Sequence, residues 1–162
     1  MKILIAEDES EIWIPYRVEL EARGHDVVIT EDGISCLEEY EKGLANKPFE
    51  VVVLDYRMPK LDGMEVAKEI LKLNRKQRII FASAYVKETL EDSVKQLKQI
   101  VELIQKPFEA DVLADTIEDQ EAYFGLKSLM KNIRGFDFEQ PSHEQIRDLF
   151  DGLRRIQKGR TF

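Results

Sequence analysis

The chain has 162 residues, 43% of them hydrophobic and 35% charged, with a net charge of −8. That length and balance suit one globular domain with some surplus. No apolar run approaches membrane-spanning length, and a lone cysteine, Cys36, excludes an internal disulfide.

Met1-Lys2-Ile3 leads straight into a strand pattern without a signal-peptide layout, so a cytoplasmic protein is expected. The acidity is uneven. Residues 121–162 carry eight basic against six acidic side chains, while the rest of the chain is strongly acidic. An acidic body argues against non-specific nucleic-acid binding by that part.

In chain order, Lys2 to Ala6 reads as a strand. Ser10 begins a helical pattern through Ile12, Trp13, Tyr16 and Leu20, stopping at Gly24, with Pro15 expected in the first turn. His25 to Ile29 is a second strand. Gly33 opens a helix with Ile34, Leu37 and Tyr40 on one face and Cys36 as a buried thiol. Val51 to Leu54 is apolar enough to be covered on both faces. Gly63 leads a helix carrying Val66, Ile70 and Leu73. Arg78 to Ala82 is the fourth strand, and Val86, Leu90, Val94 and Leu97 trace the next helix. Gln99 to Ile104 is the fifth strand, and Ala110 starts the fifth helix.

Five strand–helix repeats argue for a doubly wound parallel sheet with helices on both faces. This unit spans residues 1–120. Residues 121–162 form a helical extension that serves output or dimerisation. Leu113, Ile117, Phe124, Met130 and Ile133 suggest a helix running toward Arg134, with Gly125 as a point of interruption. Ser142 and Gln145 make a capping-box pair ahead of Ile146, Leu149, Phe150, Leu153 and Ile156.

The strands end on polar groups: Glu7-Asp8, Asp55, Ser83 and Lys106-Pro107. In a parallel sheet these emerge along one edge, where open α/β sheets build their sites. Three crowded carboxylates call for a cation, and magnesium suits hard oxygen ligands. Manganese is an alternative. A carboxylate can also act as a nucleophile toward phosphorus, and Asp55, on the middle strand of the set, is best placed to do so. Lys106 is a point charge for phosphate, and Ser83 a hydroxyl donor. Ser83 bonding only its own loop is the plainer alternative.

The ordered set Glu7-Asp8, Asp55-Tyr56-Arg57-Met58-Pro59-Lys60-Leu61-Asp62-Gly63, Ser83-Ala84 and Lys106-Pro107-Phe108 resembles the response-regulator receiver domains of two-component signalling. The resemblance covers the first three-quarters of the chain and implies a flavodoxin-like fold. It implies that Asp55 accepts a phosphoryl group from a sensor histidine kinase or a phosphotransfer protein, in a magnesium-dependent reaction. Asp8 would bind the metal directly, Glu7 largely through water, and Arg57 through its backbone carbonyl. Lys106 would contact the phosphoryl group, the Lys106–Pro107 peptide would be cis, and Ser83 would be the switch. Such a protein is a phosphoacceptor rather than an enzyme, with at most weak self-phosphorylation and autodephosphorylation.

Two departures stand out. Leu103 sits where the family often has an aromatic residue, leaving Tyr85 as a substitute. Leu97-Lys98-Gln99 replaces a small turn before the fifth strand. Arg57 and Tyr85 would flank the entrance to Asp55 and modulate hydrolysis.

The expected output is contact with a downstream protein, or a homodimer. The alternative is a DNA-binding transcriptional regulator using Lys127, Lys131, Arg134, Arg154, Arg155, Lys158 and Arg160. Basic residues near helix C-termini also favour the dipole, however, and the tail is short for such a domain. A magnesium-dependent phosphatase would want an acid two residues after Asp55, where Arg57 stands. No membrane association is expected.

Overall fold

The computed structural model describes residues 1–133 and 135–157. Five parallel strands, β1 (Lys2–Ala6), β2 (Asp26–Thr30), β3 (Val51–Asp55), β4 (Arg78–Ser83) and β5 (Glu102–Gln105), form one sheet in the order β2-β1-β3-β4-β5. Strand alternation divides the core in two. Ile3, Ile5, Val51, Val53, Ile80 and Ile104 point to one face, against α1 (Ser10–Ala22) and α5 (Ala110–Glu118). Leu4, Ala6, Val52, Leu54, Ile79, Phe81 and Leu103 point to the other. There they meet α2 (Gly33–Ala45), α3 (Gly63–Leu73) and α4 (Val86–Asp92). Both faces are dry, which explains the continuous apolar runs.

Several local expectations are corrected. Pro15 lies inside α1, beyond its first turn. It sits on the exposed side, where the carbonyl it leaves without a donor can turn to water. β2 begins at Asp26 rather than His25. Ile34, Leu73 and Phe124 are exposed, so the buried face of α2 is instead Gly33, Cys36, Tyr40 and Gly43. The stripe through Val86, Leu90 and Val94 is buried, but after Asp92 the helix loosens into a π turn, Ser93–Leu97. That turn ends on Lys98 at φ 55°. The wider turn and the left-handed residue use up Gln99 to Val101, and β5 starts at Glu102. Ile100 and Val101 still reach the core from the approach to the strand.

The fifth helix does not run on. It stops at Glu118, and Asp119 caps α6 (Gln120–Asn132) by accepting the backbone N–H of Ala122 at 2.9 Å. Gly125 does not interrupt α6; it lies where a methyl group would come 3.3 Å from Ile156. Ser142 and Gln145 form the full capping box of α7 (His143–Ile156).

The two tail helices pair with each other, and α7 packs on α4. Leu126, Leu149 and Leu153 are buried in the same cluster as Val86, Leu90 and Leu103. Gln157 accepts the N–H of Leu103, on the outer edge of β5, at 3.0 Å. Lys127, Lys131, Arg154 and Arg155 face water. Arg134, Lys158 and Arg160 lie outside the described residues. Among the described residues no helix is long and apolar enough to cross a membrane.

Cys36 is fully buried, and burial pushes its thiol pKa up to about 12. A thiol raised in the fold favours the folded state below its unfolded pKa. That contribution is lost as pH rises toward the folded value. Ellman's reagent at pH 8 is therefore expected to leave native protein unlabelled and to react once denaturant is added. Immediate labelling without denaturant would contradict the packing of α2.

Candidate functional site

Strand parity builds the site. Residues 3 and 5, 51 and 53, and 104 all point toward α1 and α5, so continuing each series brings Glu7, Asp55 and Lys106 to the same side. Backbone bonds carry each strand end forward. Glu7 donates its N–H to Thr30 O at 3.0 Å, Tyr56 to Ala82 O at 3.2 Å, and Lys106 to Ser83 O at 2.9 Å. Lys106 Nζ then lies 2.5 Å from Glu7 Oε2 and 3.2 Å from Asp55 Oδ1. Glu7, Asp8 and Asp55 each offer an oxygen within 4.8 Å of the others. Glu7 is buried, Asp55 lies at the edge of burial, and Asp8 is open to solvent. The Lys106–Pro107 peptide is cis.

Burial raises the pKa of Glu7; the bond from Lys106 opposes this, and the charge of Asp55 adds to it. Burial also raises Asp55, against the pull of Lys106. Desolvation works against the Lys106 ammonium, but Glu7 and Asp55 outweigh it and hold its pKa above the ordinary value. Tyr16, stacked on Phe108 with ring centroids 5.2 Å apart, is raised by burial and then by the same two carboxylates.

The donor set fits a hard divalent cation. One ammonium faces three carboxylates. The negative charge left over, on closely spaced oxygens with one exposed ligand, matches an ion that keeps part of its water.

The loop after β3 is tightly turned. Lys60 has φ 69°, and Asp62 with Glu65 forms a capping box at α3. A methyl group on Gly63 would fall 2.2 Å from the carbonyl oxygen of Asp55. Only glycine allows that approach.

Ser83 follows the other parity. Like Ile79 and Phe81 it points away from Asp55's face, toward α4, and it is buried. Its Oγ accepts the N–H of Tyr85 at 2.9 Å and lies 2.9 Å from Thr89 Oγ1. The structure therefore places Glu7, Asp8, Asp55 and Lys106 together and turns Ser83, the last residue of β4, toward the loop leading to α4. Strand parity, legible in the sequence, separates it from Glu7, Asp55 and Lys106. Thr89, Tyr56 and Asp92 were missed by sequence reasoning. The Tyr56 hydroxyl donates to Asp92, and no local motif announces that pair.

Arg57 stacks on the exposed Tyr85 ring, with its guanidinium carbon 4.7 Å from the centroid, and reaches Glu88 at 3.6 Å. Leu103 is fully buried beneath the tail.

Residues 3–118 match the family model described as response regulator receiver domain. The chain belongs to that family. Among curated relatives, the peroxide stress-activated histidine kinase mak3 of Schizosaccharomyces pombe is 35% identical over 117 residues, covering 69% of this chain and 5% of the kinase. The response regulator RR06 of Streptococcus pneumoniae is 34% identical over 120 residues, 73% of this chain and 52% of that protein. This chain thus spans a twentieth to about half of those two relatives. A CheY-like receiver domain from Methanospirillum hungatei superposes with a TM-score of 0.63 at 27% identity, covering 74% of this chain and 91% of that one. Receivers are signalling phosphoacceptors, and this receiver fold carries two further helices, α6 and α7, beyond the family match.

Proposed function

We propose that the chain is the phosphoacceptor of a two-component relay, with Asp55 taking a phosphoryl group from a phosphohistidine on a sensor kinase or phosphotransfer protein. The observation that carries this reading is the Lys106 ammonium set between Glu7 and Asp55, with Asp8 alongside.

An Asp55 carboxylate oxygen attacks phosphorus. The P–N bond breaks, its electron pair returns to the imidazole, and an acyl phosphate remains on Asp55. Lys106 offsets charge on the transferring group, and burial keeps that contribution strong. A magnesium ion held by Glu7, Asp8, Asp55 and the carbonyl of Arg57 would supply further neutralisation. Residues 1–120 form the acceptor unit in this reading, and residues 121–162 form the output element, acting through protein contacts.

Sequence-specific DNA binding is the less supported output. The curated relatives include transcriptional regulators, among them Bacillus subtilis PhoP. Here, however, the apolar faces of α6 and α7 are spent on the receiver.

Incubation with phosphoramidate and magnesium is expected to add one phosphoryl group by intact mass. None should appear with a chelator or in Asp55→Ala. Equal uptake by Asp55→Ala would remove Asp55 as acceptor.

Arg57 and Tyr85, stacked on each other, would in this reading flank the way to Asp55 and hinder an attacking water. Replacing both by alanine is expected to shorten the half-life of the phosphorylated protein severalfold after the donor is removed. An unchanged decay would clear both residues of that role.

A further inference from the structure

The two edges of the sheet carry opposite charge. The acidic cluster sits where the strands end. At the other edge a cavity of about 380 Å³ opens between α3 and the π turn that follows α4. Arg75 on its wall stands three residues before β4, and Gln99 three before β5. Four cations line the cavity, Lys68, Lys72, Arg75 and Lys98, with the amides of Gln96 and Gln99. Among the described residues no carboxylate lines it, in a chain whose net charge is −8. Its volume falls within the range of small-molecule sites, roughly 300–1,000 Å³.

Local helix chemistry does not account for these charges. The dipole of α3 favours a cation in its last turn, where Lys72 stands and meets Glu69 at 2.7 Å. Lys68 lies in the middle of that helix, and its ammonium bonds a neutral amide, Gln96, at 3.3 Å. Arg75 has no ion pair among the described residues. Lys98 pairs with Glu139 and ends the π turn at φ 55°. A helix end in that conformation favours glycine; a lysine there brings a charge to the cavity. Single π turns inside helices recur at functional sites.

The spacing selects the ligand. Lys68 and Lys72 stand one turn apart, about 6 Å along the axis of α3, and Arg75 follows just past its end. That row is longer than one phosphate group and suits a chain of them, which lysines meet as point charges and arginine through its fork. Leu71 and Leu97, partly buried against the core, add an apolar wall that a base can cover. A nucleic acid fits less well, because a long polyanion would run on over a strongly acidic body.

We propose that this cavity binds a small ligand carrying two or three linked phosphates, either a nucleoside di- or triphosphate or the bare inorganic chain. The site is independent of what Asp55 accepts.

Isothermal titration calorimetry on the full chain, in dilute buffer with a chelator, tests this. Without a divalent cation the acidic cluster repels the probes, so the two edges are read apart. Inorganic triphosphate, ATP and ADP are each expected to bind once per chain, and orthophosphate about tenfold more weakly than triphosphate. Lys68→Gln with Arg75→Gln should weaken triphosphate binding about tenfold. Both side chains are exposed, so the core is untouched, and equal melting temperatures check this. Lys87→Gln with Arg147→Gln removes the same charge from a cavity beside α4 and α7 and should change binding less than about twofold. Tighter binding of ATP than of triphosphate would assign a base to Leu71 and Leu97. Equal binding would assign the site to the phosphate chain alone. No binding of any probe at millimolar concentration overturns the proposal. Equal weakening by the two double variants overturns it too, since the attraction would then be one of net charge. Orthophosphate as tight as triphosphate would mean an adventitious ion only.

Discussion

Gly63→Ala is expected to lower stability by about 3 kcal/mol, at the upper end of overpacking costs, and the melting temperature by roughly 6–12 °C for a chain of this size. The added methyl group would lie 2.2 Å from the Asp55 carbonyl oxygen and 3.1 Å from Tyr56 Cα. Both are backbone atoms, so no side-chain rotation relieves the overlap. Either α3 withdraws or the end of β3 moves, and in both cases Asp55 shifts relative to Lys106. Phosphoryl uptake should therefore fall with stability. Gly24→Ala is the control. Its φ of +85° strains an alanine, but nothing lies within 4 Å of the new carbon, so a loss of about 1 kcal/mol is expected. Thermal melts of both variants decide the matter. Equal small losses would mean that the Asp55–Gly63 approach relaxes easily.

Glu102→Leu is the second large effect, at about 3–5 kcal/mol. Glu102 and Arg78 are buried at 1% and 5% side-chain exposure and meet twice, at 2.7 and 3.0 Å. Arg78 also donates to the carbonyls of Ile117 and Thr116, at 2.8 and 2.9 Å, closing the C-terminal end of α5. Removing Glu102 leaves a guanidinium in the interior without a counter-charge, held only by the two carbonyls and the face of the Tyr123 ring. Adding Arg78→Met to Glu102→Leu removes the stranded charge and should recover part of the loss. Recovery stays incomplete because the two α5 carbonyls then lack their donor. Denaturant melts of the single and double variants measure both steps. A double variant less stable than Glu102→Leu alone would show that the carbonyl bonds outweigh the charge.

Much of this arrangement is legible in the residues. Val51 to Leu54 announces a strand buried on both faces, and the alternating parity of β1, β3 and β5 brings Glu7, Asp55 and Lys106 together without any knowledge of packing. What was not legible depends on partners distant in sequence. Arg78 and Glu102 look like ordinary polar positions at the ends of apolar runs, and only the β4–β5 and α5 contacts make them a buried pair. The π turn after Asp92, the left-handed Lys98 that ends it and the late start of β5 are encoded by neither helical periodicity nor strand propensity. The amphipathic pattern of residues 143–156 predicted a helix with an apolar face; it did not say that α4 and β5 would cover that face.

The bond between Gln157 and Leu103 has a consequence for shortened versions of this chain. A fragment cut after α5 would keep every acidic group of the cluster, yet it would bare the outer margin of β5 and the apolar hollow that Leu149 and Leu153 fill. Such a margin is a template for pairing between molecules. The last helix thus acts as a hem on the sheet, and a minimal fragment chosen by family boundaries would be expected to clump where the whole chain stays dispersed.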